Sequence, residues 1–290
     1  MRLDWEGVLL LGGTIATVIL AATWAGVRYA WTSPQIIGLG ALAFAGLVAF
    51  VVTQRRVADP LLPPRVFAHR NMRLASAIVL IVGAVMFTGA LYLPLYQQTV
   101  QHASAADSGL LLLPMMIPMV LASQLPGRVM TRTGRYKIFP IAGGAALTLG
   151  AALLASLDAS SGRVETSVYM AVVGIGLGLT MQMTTTIAQN SVEMRDIGAA
   201  TAATTLFRTL GGTLAVAAFG ALYTRSVLHA GQIAGSAQGF SHIYTGVAIL
   251  CALAFVAALF VKEVPLRGKP KIETAETPAV SDAGRGVSAR

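Results

Sequence analysis

The sequence is poor in charge and nearly devoid of cysteine. Of its 290 residues only 11% are Asp, Glu, Lys or Arg, where a soluble globular domain carries about 25%. With 55% apolar residues and a mean hydropathy of +0.70, the chain does not fit the class of ordinary soluble domains. One cysteine, Cys251, excludes a disulfide framework and a cysteine metal site, and it reads as a small apolar helix residue. His69, His102, His229 and His242 are scattered over loops or ends of apolar runs with no partner at ligand spacing, so no metal is expected. A G-x-x-x-x-G-K-[ST] phosphate loop is absent, so no bound ATP and no other cofactor is implied. No A-x-A-like cleavage site leads into a soluble domain, and the first apolar run is too long for the core of a signal peptide.

What the chain has in abundance is long apolar runs. A bilayer core of about 30 Å takes roughly 20 apolar residues in a helix, because every backbone amide must find its partner inside the segment. Eight stretches qualify, over about 7–27, 35–52, 74–96, 109–126, 139–156, 167–188, 201–223 and 244–261. The expected fold class is an all-α integral membrane protein with about eight transmembrane helices.

Basic residues fall in alternate gaps between these runs. With the N-terminus placed in the cytoplasm, the inner segments hold 17 Lys and Arg and the outer ones only Arg28, Arg163 and Arg225, with Arg208 alone inside a run. That asymmetry predicts both termini cytoplasmic. The same distribution accounts for the net charge of +9 without a nucleic-acid partner, since the cations flank membrane runs where anionic lipid meets them. The gap 54–72, with Pro60, Pro63 and Pro64, cannot continue a helix and divides two runs from six. It sets the expected organisation: a helix pair over 1–58, a six-helix block over 59–261 and a disordered cytoplasmic tail over 262–290. The stretch 232–242, rich in Gly, Ala and Ser, reads as an outer connector. The six-run block is compatible with an inverted three-helix repeat too divergent to see in the letters.

The sharpest motif is GRVMTRTGRYK over 127–137. Its two glycines permit a tight turn, and Arg132 and Arg135 are placed to reach helix-end carbonyls, a carboxylate or lipid phosphate. A loop with a purely topogenic role would also be basic. The spacing of Gly127, Arg132, Gly134 and Arg135 resembles the G-x-L-x-D-R-x-G-R-[RK] element of the major facilitator superfamily, with Val129 for the usual Leu and Thr131 in place of the acid that helps latch neighbouring helices. Further stretches resemble that superfamily's fourteen-span drug:proton antiporter branch of EmrB/QacA type: LDWEG at 3–7, YLPLYQ at 92–97, SGLLLLP at 108–114, QN at 189–190, RDIGAAT at 195–201 and RTLGG at 208–212.

The resemblance implies that the first two runs are the linker helix pair of that branch and the next six its C-terminal bundle, with the N-terminal six spans absent. The chain is then expected to be a truncation, a split gene product or a gene model begun at an internal Met. By the same resemblance the protein sits in the plasma membrane of a bacterium, moves a small lipophilic or cationic substrate, and uses the proton as coupling ion once completed by an N-terminal half-transporter. All twelve carboxylates lie in loops, at run ends or in the tail, so the intramembrane acid that proton coupling needs is expected elsewhere.

Gly174, Gly178, Gln182, Thr186 and Asn190 recur every four residues and form one small-to-polar stripe, with Gln189 beside it. The glycines read as helix packing; for Gln182, substrate lining and a structural role stay open. With Phe87, Thr186, Gln189 and Asn190 it makes up the candidate substrate path. Tyr92 and Tyr96 belong to an aromatic wall or to an interfacial belt. Arg208, seven residues past Thr201, is near enough to the membrane surface to snorkel and is expected to pair with Asp196 or with helix-end carbonyls; Gly211 and Gly212 follow it as packing residues. A membrane enzyme would need converging His, Asp, Ser or Cys that the sequence does not offer. The alternative to a transporter is a non-transporting membrane module that associates with other transporters.

Overall fold

The computed structural model describes residues 4–25, 28–29, 32–57, 62–133, 136–158, 160–230 and 232–263. Among them are nine α-helices: α1 Trp5–Trp24, α2 Pro34–Arg56, α3 Arg70–Thr99, the short α4 Ala105–Leu110, α5 Leu113–Thr133, α6 Ile138–Ala155, α7 Arg163–Asn190, α8 Ile197–Ala230 and α9 Gln232–Leu259. Eight are long and apolar enough to cross a membrane, and no strand occurs among the described residues. This is the all-α multi-pass architecture that the apolar runs predict.

Capping sets several starts. The Asp4 carboxylate accepts from the Gly7 amide at 2.9 Å, and Ser33 caps α2 ahead of Pro34, whose fixed φ suits a first turn. Between α2 and α3 a 3-10 turn, Pro64–Ala68, carries the chain across the end of the helices. A second one, Met194–Asp196, lies between α7 and α8.

Helices α3 and α5 to α9 form one bundle. The first membrane helix of that bundle packs on the fifth (α3 on α8) and the fourth on the second (α7 on α5), while the third and sixth, α6 and α9, lie together. Exchanging the first three helices with the last three leaves this pairing unchanged, which supports the hidden three-helix repeat. The pair α1 and α2 pack on each other and reach the bundle through α8 and the first 3-10 turn.

Glycines make the close crossings. A β-carbon on Gly83 of α3 would run into the Arg208 carbonyl of α8, and one on Gly211 of α8 into the Leu80 carbonyl of α3. Gly174 and Gly178 of α7 lie in the same way against the Met115 and Met119 carbonyls of α5. In a bilayer, where burying apolar surface gains little between helices, such close approach supplies dispersion contact instead.

Several sequence expectations are corrected. The connector expected over 232–242 is the first part of α9, because Gly235 and Gly239 let it lie against Ser226, Val227 and Tyr223 of α8, and the Tyr223 hydroxyl bonds Ser236 at 2.9 Å. Gly127 does not begin a turn; it stands inside α5, which continues to Thr133 through Pro118 and Pro126. Gly134 and Arg135, the side chain of Arg132, and the tail from residue 264 lie outside the described residues. Tyr92 and Tyr96 form neither a wall nor a belt, for both are buried. The Tyr92 hydroxyl donates to the Val216 carbonyl at 2.8 Å and that of Tyr96 to the Asp158 carbonyl at 2.6 Å, so they fasten α3 to α8 and to the α6–α7 loop. Tyr96 also stacks on Phe240 of α9, centroids 4.4 Å apart.

Candidate functional site

The two ends of the bundle differ in chemistry. At one end the start of α3, the start of α6 and the end of α9 meet. Asn71 exchanges two hydrogen bonds with the backbone of Lys262, at 2.7 and 3.0 Å, and Arg70 lies over the Phe260 ring at 5.9 Å. Gln54, at the end of α2, donates to Asp4 and accepts from the Leu62 amide at 3.0 Å, which brings the start of α1 to the same end. This basic end also holds the bidentate ion pair of Arg65 with Asp196, at 2.9 and 2.8 Å. The hydrogen bond to Asp196 raises the Arg65 guanidinium above its ordinary range, so the cation is secure at any physiological pH.

That pair corrects the expected partnership of Asp196 with Arg208. Arg208 stands twelve residues further along, about 18 Å up α8 at 1.5 Å per residue, beyond the reach of a carboxylate fixed by the first 3-10 turn. Its side chain is half-buried and makes no ion pair among the described residues. At the opposite end, Gln101 bonds the Thr166 hydroxyl at 2.9 Å and the Ser161 carbonyl at 3.2 Å, joining the end of α3 to the start of α7. Ser160 leads Ser161 in donating to Asp158, which holds that carboxyl below the usual carboxylate range.

Between the ends, α7 and α8 run antiparallel and are tied near the basic end by Gln189 Nε2 on Thr201 Oγ1 at 2.9 Å. Seven residues back along α7 is Gln182 and seven forward along α8 is Arg208, so the two stand level, about 10 Å deeper than that tie. Phe87 of α3 packs against Gly212, one turn further along α8. The small-to-polar stripe of α7 divides here: Gly174 and Gly178 are closed against α5, whereas Gln182 is exposed and Thr186 half-buried. Asn190 ends the helix. Two threonine hydroxyls nearby are spent on their own helices, Thr186 on the Gln182 carbonyl and Thr209 on the Thr205 carbonyl, both at 3.1 Å.

Sequence reading missed Gln124 of α5. It is exposed and, by the crossing of Gly178 with Met119 and Ala122, lies within about one helical turn of the level of Gln182. The available signal was an amide inside an apolar run. Neither amide makes a side-chain hydrogen bond among the described residues. All eight described carboxylates stand at helix ends or in connections.

The sequence model of the Major Facilitator Superfamily matches residues 5–216. The chain is 32% identical over 294 residues to an uncharacterized MFS-type transporter of Mycobacterium tuberculosis, a match covering 91% of this chain and 43% of that protein. It is 31% identical over 222 residues to the multidrug transporter protein MdtP of Bacillus subtilis, covering 77% of this chain and 41% of the relative. Against the efflux pump roqT of Penicillium rubens it is 35% identical over 214 residues, with 73% and 40% covered. The chain thus spans about two fifths of the length of these relatives.

Proposed function

Because this chain belongs to the major facilitator superfamily, a family of transporters and not of enzymes, we propose that it forms one wall of the path of a proton-coupled efflux transporter for small lipophilic or cationic compounds. The observation that carries this reading is the pair of exposed, unbonded amides, Gln182 and Gln124, at one level of a bundle otherwise closed by glycine crossings. Hydrocarbon cannot satisfy an amide, so these groups face a water-filled path or a facing protein wall. The relatives called a multidrug transporter and an efflux pump support an exported solute. In this reading α1 and α2 are the linker pair, 59–261 is the C-terminal bundle of the fourteen-span branch, and a second six-helix bundle completes the path and carries the coupling acid. Gln182, Thr186, Gln189 and Asn190 line it with Phe87 at its floor. The segment 127–137, which begins inside the end of α5, gates it from the basic side.

The experiment measures efflux of a fluorescent lipophilic cation from cells that express this chain with a complementary six-helix half. Gln182→Leu is expected to lower efflux about three- to tenfold, the value of one hydrogen bond, with Gln182→Asn retaining part of it. Parental efflux in Gln182→Leu would remove α7 from the path.

The basic end is assigned to the cytoplasm of the host cell, in its plasma membrane, from the arginine and lysine asymmetry. In a Cys251→Ala background, single cysteines at Ser104 and Ser161 are expected to react with an impermeant maleimide from outside and one at Thr133 only after lysis. Labelling of the Thr133 variant in intact cells would reverse the orientation.

A further inference from the structure

The pair α1–α2 meets the bundle mainly along α8 and the first 3-10 turn, and between them lies a groove of about 620 Å³. Its walls include Ile15 of α1, Phe44 and Leu47 of α2, and Leu206, Leu210 and Leu214 of α8. The two polar side chains in the lining, Thr14 and Gln54, are already committed. Thr14 donates to the Leu10 carbonyl at 2.7 Å, and Gln54 is shared between Asp4 and the Leu62 amide. The groove therefore offers a polar ligand no partner, and its occupant is hydrocarbon.

Its dimensions and its mouth narrow the choice. Along α2 the lining runs from Ala43 to Gln54, eleven residues or about 16 Å, which matches one leaflet of a bilayer core of about 30 Å. It starts at the basic end, where Gln54, Leu62 and Pro64 line it, and stops near mid-membrane. Phe44, Leu47 and Val51 are 69%, 48% and 37% exposed, so a chain in the bilayer can enter from the side. Leu47 and Val51 recur at four residues, and the next position on that stripe is Arg55. Arg55 is exposed and makes no ion pair among the described residues, unlike Arg65. Asp4, the acid that Gln54 holds at this end, is engaged with Gly7 and Gln54.

We infer that this groove is a binding site for an anionic phospholipid, with an acyl chain between α2 and α8 and the phosphate at Arg55. The cation at the mouth and the dry wall behind it select against a lipophilic cation. The site is independent of the direction and energetics of transport.

The test is native mass spectrometry of the full chain, released from detergent in the presence of phosphatidylglycerol or phosphatidylcholine of matched acyl chains. The unaltered protein is expected to retain one phosphatidylglycerol about fivefold better than phosphatidylcholine. Leu210→Trp, which fills the groove, should lower retention of both lipids at least tenfold. Leu47→Trp, on the opposite and half-exposed wall, should do the same, and each variant's melting temperature in detergent shows that it is folded. Arg55→Gln should keep a lipid bound and erase the headgroup preference. Equal retention of the two lipids by the unaltered protein, undiminished retention in both folded tryptophan variants, or an unchanged preference in Arg55→Gln would each overturn the proposal.

Discussion

Replacing Gly211 or Gly83 with valine is expected to destabilise the bundle by about 2–3 kcal/mol, the upper part of the usual cost of overpacking. The reason is what a side chain would meet. At each position the obstruction is the backbone carbonyl of the facing helix, Leu80 in one case and Arg208 in the other, and a carbonyl held in a helical hydrogen bond cannot swing aside as a flexible side chain can. Relief requires α3 and α8 to part, which also strains the Tyr92 bond to the Val216 carbonyl on the same pair. The double variant is expected to cost less than the sum of the singles, because one separation relieves both clashes. Gly40 of α2 is the control, since nothing lies within 4 Å of a β-carbon there. The fraction of protein still monodisperse in mild detergent after heating measures the effect. Equal survival of the Gly40 and Gly211 variants would show that α3 and α8 do not pack through these glycines.

Helix number and alternation were legible in the sequence because both follow from the bilayer: run length from its thickness, and gap charge from its asymmetry. The termini of the elements were not. Glycine, alanine and serine over 232–242 look like a connector by the rules of water-soluble chains, yet small residues are what lets α9 lie on α8. Tyr92 and Tyr96 were undecidable for a related reason. Lipid and protein interior are equally apolar, so the letters do not say which one a tyrosine faces; only the carbonyls of Val216 and Asp158 do. The Arg65–Asp196 pair joins residues 131 positions apart, and nothing local marked Arg65 out from the other inner arginines. Within the candidate path, the four-residue period brought out Gln182, whereas the positions three and four before Gln124 are Leu121 and Val120 and the one four after is Arg128, so Gln124 stands on no small-to-polar stripe.

Expressed alone, this chain is expected to give no proton-driven efflux of a lipophilic cation, and co-expression with a matching six-helix half to restore it. Alternating access in this fold moves one bundle against another about a site between them. In the proposed reading this bundle contributes one wall, with Gln182, Gln124 and Arg208 at about one level, and the facing wall comes from a second bundle. Coupling adds a further requirement. A proton carried through the membrane needs a group that binds and releases it at depth, and a carboxylate does so because burial shifts its pKa as its surroundings alternate. The carboxylates Asp4, Glu6, Asp107, Asp158, Glu165, Glu193, Asp196 and Glu263 all stand at helix ends or in connections, and Asp196 is in addition bound to Arg65. Cells lacking other exporters, preloaded with the dye, provide the assay. The expected ranking is no efflux with either half alone and uncoupler-sensitive efflux with both. Passive leak that survives the uncoupler does not count. Uncoupler-sensitive efflux by this chain alone would instead place both walls in a pair of identical bundles, with Arg208 the first residue to test for a role in coupling.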